Sequence, residues 1–513
     1  MTGFVRFIGV AIMAASVAAT PVAAYGGDLL IRNVTVISGD RTVPLTGANV
    51  LIDEGRIVNL SAAAETSAGE IIDGTGKYLI PGLIDSHVHL YHATGLKRRY
   101  TEDFDRLYDA YLKQLPRSFL YFGYTSVIEL NASPDVNNRF NEAPLHPALY
   151  HCGHGLALNG GFMATEFEPE EFAARFPHYL HDSYQNVPLA DSVNPAKHTP
   201  QAVVRDLKDD GAVCIKLYYE EALWMPGGPP PFILPSVQIA RDVVAAAHAN
   251  DMPVLLHATT PTGHQFALDA GIDILAHGMW EWTGQDYAVE SPPAGIQRVA
   301  DRVAAARTRL QPTMRTIRNT ASMFDPESLS DPRLPHALTA EHIQYLNGPA
   351  QQQRDLFLKI FGKLIVESGD EKAVGNLLSV FNRRYENLVG DMWAKGTPLL
   401  FGSDTTVGGF GWGNPPGLNG LLEMRGWQAG GISLPSIFEA ATIRNAEAFG
   451  LGDEIGRVAP GLRADLLLLS ANPLETLEAY DSIDRVILNG KVLRRDLLSA
   501  RAAGLSSGEK PAD

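Results

Sequence analysis

Tyr78-Leu-Ile-Pro-Gly-Leu-Ile-Asp-Ser-His-Val-His89 is the stretch whose reading decides the fold. It is apolar, is interrupted by Pro81-Gly82, and closes on two histidines two residues apart. On a strand, side chains at i and i+2 share one face. Both imidazoles can therefore reach one point in space, as a metal pair requires. An isolated His-x-His also arises by chance in ordinary strands. Weight comes from what recurs downstream, where polar residues repeatedly close apolar runs.

Beyond His89, apolar runs of strand length alternate with longer helical stretches. Strands are expected near 124–130, 148–154, 212–219, 253–258, 273–278, 308–313 and 398–404. With the His87 strand these make eight. Helical periodicity fits 237–250 and 373–395. Buried strands alternating with helices argue an α/β protein with a parallel sheet. Eight units argue a TIM-type (β/α)8 barrel. On either side the pattern is β alone. Asp53-Glu54-Gly55 and Asn489-Gly490 are hairpin turns between alternating runs. The expected organisation is a barrel over 81–452 and a small β-sandwich built from both chain termini. That sandwich takes 25–80 from one end and 453–495 from the other, and a polar, disordered tail follows at 496–513.

At 513 residues the chain is long enough for such a barrel with a satellite domain. It carries 42 Lys+Arg against 58 Asp+Glu, a balance that argues against nucleic acid as partner. Arg6, an apolar run over 7–20 and Val22-Ala23-Ala24 read as a signal peptide spanning 1–24. The mature chain would start at Tyr25, periplasmic or secreted, with no membrane association after cleavage. The two cysteines, Cys152 and Cys214, each sit in an apolar strand-like run and are read as buried free thiols. Three long segments, 160–197, 279–307 and 318–370, are insertions of the kind that shape a site. The Gly/Pro/aromatic stretches 224–232 and 408–416 read as lids or as plain connections.

The closing residues of the runs form a set. Lys216 lies within Val213-Cys-Ile-Lys-Leu-Tyr-Tyr219. His257 ends Val254-Leu-Leu-His257, His277 follows Ile274-Leu-Ala276, and Asp404 ends Leu399-Leu-Phe-Gly-Ser-Asp404. All stand near the C-terminal ends of strands, the catalytic face of a barrel. Several histidines with one carboxylate suit zinc or a similar divalent ion. Packing alone accounts poorly for four histidines and an aspartate on four different strands. Lys216 is the sharpest outlier, since a strand interior rarely buries a lysine.

Pro81-Gly-Leu-Ile-Asp-Ser-His-Val-His89, His257-Ala258, Ala276-His-Gly278, Gly402-Ser-Asp404, Pro460-Gly-Leu-Arg-Ala-Asp465 and the run from Ala440 to Gly450 together resemble the amidohydrolase superfamily. The branch most similar is the imidazolonepropionase-like and prolidase-like one, and the motifs span 29–492. The resemblance implies two divalent metal ions, with zinc the first expectation, bridged by a carbamylated Lys216. It places His87, His89 and Asp404 on one metal and His257 and His277 on the other. It makes Asp404 the general base and acid for a metal-activated hydroxide cleaving an amide or peptide-like C–N bond. Asp85 would stand behind the histidines. Tyr218 and His154 are the substrate-binding candidates, each weighed evenly against packing, and His264 and Arg315 are expected at the surface. The nearest rival is a mononuclear deaminase or imidazolone hydrolase, against which Lys216 counts. Lactone or ester cleavage fits the same chemistry. A non-catalytic periplasmic binding protein is the reading from a different class, and export alone supports it. The expected partner is a small-molecule substrate of unspecified identity, with a homo-oligomer left open.

Overall fold

The structure is a computed structural model. It describes residues 27–61, 68–166, 169–189, 192–223, 233–282, 289–325, 327–362, 370–406, 411–412 and 414–503. The expected signal peptide, the 224–232 stretch and most of 408–416 lie outside the described residues.

Five strands come first: β1 (Gly27–Val36), β2 (Leu45–Asp53), β3 (Arg56–Ser61), β4 (Ala68–Asp73) and β5 (Tyr78–Pro81). The β2–β3 turn falls at Glu54-Gly55, both in the left-handed region (φ 46° and 75°). Gly82 then admits the chain to the α/β body. A Cβ there would sit 1.9 Å from Thr125 Oγ1, so nothing larger passes.

The body opens with β6 (Leu83–Val88), all six residues buried. It continues through β7 (Tyr124–Glu129), β8 (Ala148–His151), β9 (Ile215–Tyr218), β10 (Val254–His257), β11 (Ile274–Ala276) and β12 (Arg309–Gln311). Every pairing among them is parallel, in two sheets ordered β6-β7-β8 and β12-β11-β10-β9. Parallel neighbours need a crossover, and helices supply each one. They are Phe104–Tyr121, Pro134–Asn141, Pro200–Asp209, Val237–His248, Pro261–Ala270 and Ala294–Ala306. Their starts are written locally. Thr199, Ser236 and Thr260 each accept a hydrogen bond from a first-turn N–H, and Pro200 and Pro261 occupy the first helical position. Val237–His248 buries Ile239, Ala240, Val243, Val244, Ala246 and Ala247, one stripe of a 3.6-residue period.

Parallel bridges join the two sheets at Leu156–Leu217, Leu310–Leu399 and Val88–Thr405. The 398–404 run, expected as a strand, is therefore not a regular one, although Leu400 N, Phe401 O and Asp404 N still bond to the backbone of Leu310, Ser86 and His87. Two facts explain the departure. Asp404 has a left-handed backbone (φ 55°), and side chains replace part of the ladder. Asn445 Nδ2 donates to Ile84 O and Phe401 O, and Ser403 N donates to Asp85 Oδ1. Asp85 is thus a brace for Ser403 and for the His87 backbone N–H.

Near the C-terminus, β13 (Leu466–Leu469), β14 (Ile483–Leu488) and β15 (Lys491–Arg494) join the first five strands in one eight-stranded sheet. The order is β15-β14-β13-β5-β1-β2-β3, with β4 on β1. The tail expected to be disordered begins as ordered turns, Arg495–Leu498 and Ala500–Ala503, because Arg495 donates to Tyr121 O and Tyr480 O. Residues 504–513 lie outside the described set.

Cys152 and Cys214 correct the free-thiol expectation: they form a disulfide, with Cα atoms 4.5 Å apart. The chain after β8 runs beside the start of β9, with Val213 N bonded to His151 O, which sets the two side chains face to face. Among the described residues no helix is long and apolar enough to cross a membrane.

Candidate metal centre

The residues singled out on strand ends converge. His87 sits in β6 and His89 one position past its end. Their Nε2 atoms lie 3.3 and 3.2 Å from Asp404 Oδ1. One donor atom from each of the three residues falls within 4.8 Å of the others, a spacing a single cation can share. The His277 ring lies 5.0 Å from that of His87, and the His257 ring 4.6 Å from that of His277. Lys216, 1% exposed on β9, acts electrostatically on His87 and His277 and is itself acted on by Asp404. All six predicted ligand residues are thus neighbours.

Unsatisfied polar atoms collect here. Both ring nitrogens of His87, Asp404 Oδ1 and Lys216 Nζ are buried without a hydrogen-bond partner. Buried polar atoms are ordinarily paired, so this cluster fits a bound cation. Protonation agrees. Burial first, and the Lys216 and histidine charges with it, hold His87 and His277 well below the ordinary imidazole range. Both therefore stay neutral, the form that ligates. Burial alone would raise Asp404, but His87, His89 and His277 hold it well below the carboxylate range. Burial brings Lys216 down to about 7.

A second ring of contacts orients the ligands. His257 Nε2 lies 2.7 Å from Glu220 Oε2. A carboxylate only accepts, so the proton sits on Nε2 and the Nδ1 lone pair is left for a metal. His277 Nδ1 lies 2.7 Å from Thr313 Oγ1, leaving Nε2 for the same purpose. His89 Nδ1 faces Glu129 Oε1 at 3.4 Å, and the Thr316 hydroxyl donates to Asp404 Oδ2 at 2.8 Å. His277, Thr313 and Asp404 all hold positive φ (89°, 49° and 55°), conformations that persist only where surroundings enforce them. Sequence reading missed Glu129, Glu220, Thr313 and Thr316. Glu129 closes an apolar run as Asp404 does, and the same signal identifies it. The threonines carry no such signal.

The other candidates divide. The Tyr218 ring is 5.9 Å from that of His257, beside the cluster. His154 is half-buried, and its charged neighbours are Arg175, His178, Asp210 and His151, none of them a predicted ligand. His264 and Arg315, expected at the surface, are buried instead. His264 Nε2 sits against the His277 carbonyl, and Arg315 Nε donates to Asn419. Two of the three insertions reach the site: Trp280 packs 4.9 Å from the His277 ring, and Arg175 lies over Tyr91, next to the His89 ring.

A family model described as "Amidohydrolase family" matches residues 78–493. The chain belongs to that family. Among curated relatives it is 34% identical over 74 residues to the L-hydantoinase of Paenarthrobacter aurescens, covering 14% of this chain and 15% of that protein. It is 46% identical over 243 residues to a dihydroorotase of Carboxydothermus hydrogenoformans, covering 46% of this chain and 42% of that protein. The chain thus aligns with less than half the length of either relative. Among solved structures, a Xaa-Pro dipeptidase with bound methionine in its active site superposes with a TM-score of 0.60 at 20% identity. That match covers 91% of this chain and 99% of the other, a likeness of fold.

Proposed function

We propose that this protein is an exported, metal-dependent hydrolase of an amide or peptide-like C–N bond, built on a (β/α)8 barrel. The bridges at Leu156–Leu217, Leu310–Leu399 and Val88–Thr405 support closure of the two parallel sheets into that barrel. The observation that carries the activity is the cluster of buried, unpaired ligand atoms that includes Lys216 Nζ, Asp404 Oδ1 and both nitrogens of His87. Dihydroorotase, L-hydantoinase and Xaa-Pro dipeptidase among the relatives support the bond class. The Cys152–Cys214 disulfide supports export, since such bonds persist in oxidising compartments.

In this reading His87, His89 and Asp404 hold one divalent ion, zinc in the first instance, and His257 and His277 the other. Bound divalent ions supply Lewis acidity and bring the pKa of water toward neutrality. Lys216 would join the two as a carbamate. The ammonium gives one proton to solvent to become the neutral amine, which adds to CO2 and gives up a second, so that a cation becomes an anion with two oxygens. Burial favours that step by leaving a large neutral fraction of the amine near pH 7. Asp404 takes the proton of the attacking water at Oδ2, the oxygen the Thr316 hydroxyl already holds, and returns it to the departing nitrogen. Glu220 and Thr313 keep His257 and His277 turned inward. Tyr218, beside His257, is placed to meet the substrate.

The test is a screen of metal-loaded protein against dipeptides, N-acyl amino acids, cyclic amides, lactones and esters. Turnover of an amide, lost on chelation and restored by a divalent metal, is expected. Silence across every amide, or full activity in metal-stripped protein, overturns the proposal.

A further inference from the structure

The helix Met314–Ser322 starts without a cap of its own. Thr313 occupies the position just before it, where a threonine hydroxyl ordinarily accepts from the first-turn N–H groups. Here Thr313 has φ 49° and makes no such bond, because its hydroxyl is on His277 Nδ1 at 2.7 Å. Bare helix N–H groups in a buried position are costly. A residue more than a hundred positions away satisfies them. Glu423, fully buried on the helix Leu418–Ala429, accepts from Met314 N at Oε1 (2.9 Å) and from Arg315 N at Oε2 (2.8 Å). Trp427 Nε1 donates to Oε1 at 2.7 Å and fixes the carboxylate. One turn on, Thr316 donates to Asp404 Oδ2.

We infer that Glu423 is a positioning residue for two site ligands, His277 and Asp404. It caps this helix from outside and so releases Thr313 to hold His277, while fixing the turn that presents Thr316 to Asp404. The inference rests on the metal site proposed above. It goes beyond that site by assigning its geometry to a carboxylate that touches neither ligand.

The decisive experiment measures metal affinity by chelator competition, with no substrate involved. Glu423→Gln keeps the volume but leaves an NH2 facing a helix N–H, so the Thr313 hydroxyl is drawn back to the helix. Affinity is expected to fall about 10–100-fold, the usual effect of losing a ligand's outer partner. Thr313→Val should fall comparably, and Glu423→Gln added to Thr313→Val should lower affinity only a few-fold further. Their melting temperatures, by contrast, should drop additively. Glu423→Asp, which keeps both oxygens, should recover most of the affinity, and Glu423→Met, which has no oxygen to accept, takes the place of Glu423→Gln if that variant does not fold. Unchanged affinity in Glu423→Gln or its replacement, or full multiplicative loss in the double variant, overturns the inference. A parent protein that binds no divalent metal overturns both this inference and the proposed function.

Discussion

Lys216 Nζ is buried on β9 without a hydrogen-bond partner, among two neutral histidines and an ionised aspartate. The carbamate bridge proposed above would account for both its burial and its lack of a partner. Lys216→Ala should then lose at least one of two metals per chain, and Lys216→Arg should fail as well, because guanidinium stays cationic. Metal analysis of the purified variants reads this directly. Two retained metals with activity within a few-fold of the parent would remove the bridging role. Gly402 offers a second residue-scale test. A Cβ there would stand 2.6 Å from His87 Cβ. Gly402→Ala should cost about 1–3 kcal/mol, as overpacking does, and should lower metal content by displacing His87. A melting curve and a metal assay on the same sample check both. The histidines, Lys216 and Asp404 were legible because each closes or interrupts its own apolar run, a signal local to a few residues. Thr313, Thr316 and Glu423 were not, since a threonine or glutamate at a helix start or on a helix says nothing about a partner on another element.

At the scale of elements, the alternation of apolar runs and helices gave the parallel strands, because fully buried strands are apolar along their length. It failed at 398–404, where the run is apolar enough for a strand but the positive φ of Asp404 and the side-chain bonds of Asn445 and Asp85 break the ladder. It also missed the disulfide. Cys152 and Cys214 lie in different runs, 62 residues apart, and only the register of β8 beside β9 brings them together. Closing a loop of that length is worth about 4 kcal/mol in the chain-entropy account. The Cys152→Ala/Cys214→Ala variant should therefore lose about 2–4 kcal/mol in a urea titration. Denatured, unreduced protein should react with no thiol reagent and, after reduction, with two equivalents. Thiols that titrate without reductant would refute the bond.

For the whole molecule, the expectation that both chain ends contribute to one β unit followed from β patterning at each terminus. The strand order within it did not, since nothing local tells β13 to insert between β14 and β5. The proposed export is likewise tested on the whole chain. The intact mass of protein from its own host should correspond to a chain beginning at Tyr25. A soluble cytoplasmic form that retains Met1 to Ala24 would refute processing.

β5 finds its second neighbour only in β13, nearly four hundred positions downstream. A ribosome makes the chain from the N-terminus, so β1–β5 emerge long before Leu466–Leu469 exist to cover them. Throughout that interval one edge of the growing sheet has its backbone donors and acceptors exposed, the arrangement through which nascent chains stick to one another. A polypeptide truncated anywhere in the α/β body would lack β13 and keep that edge of β5 unpaired.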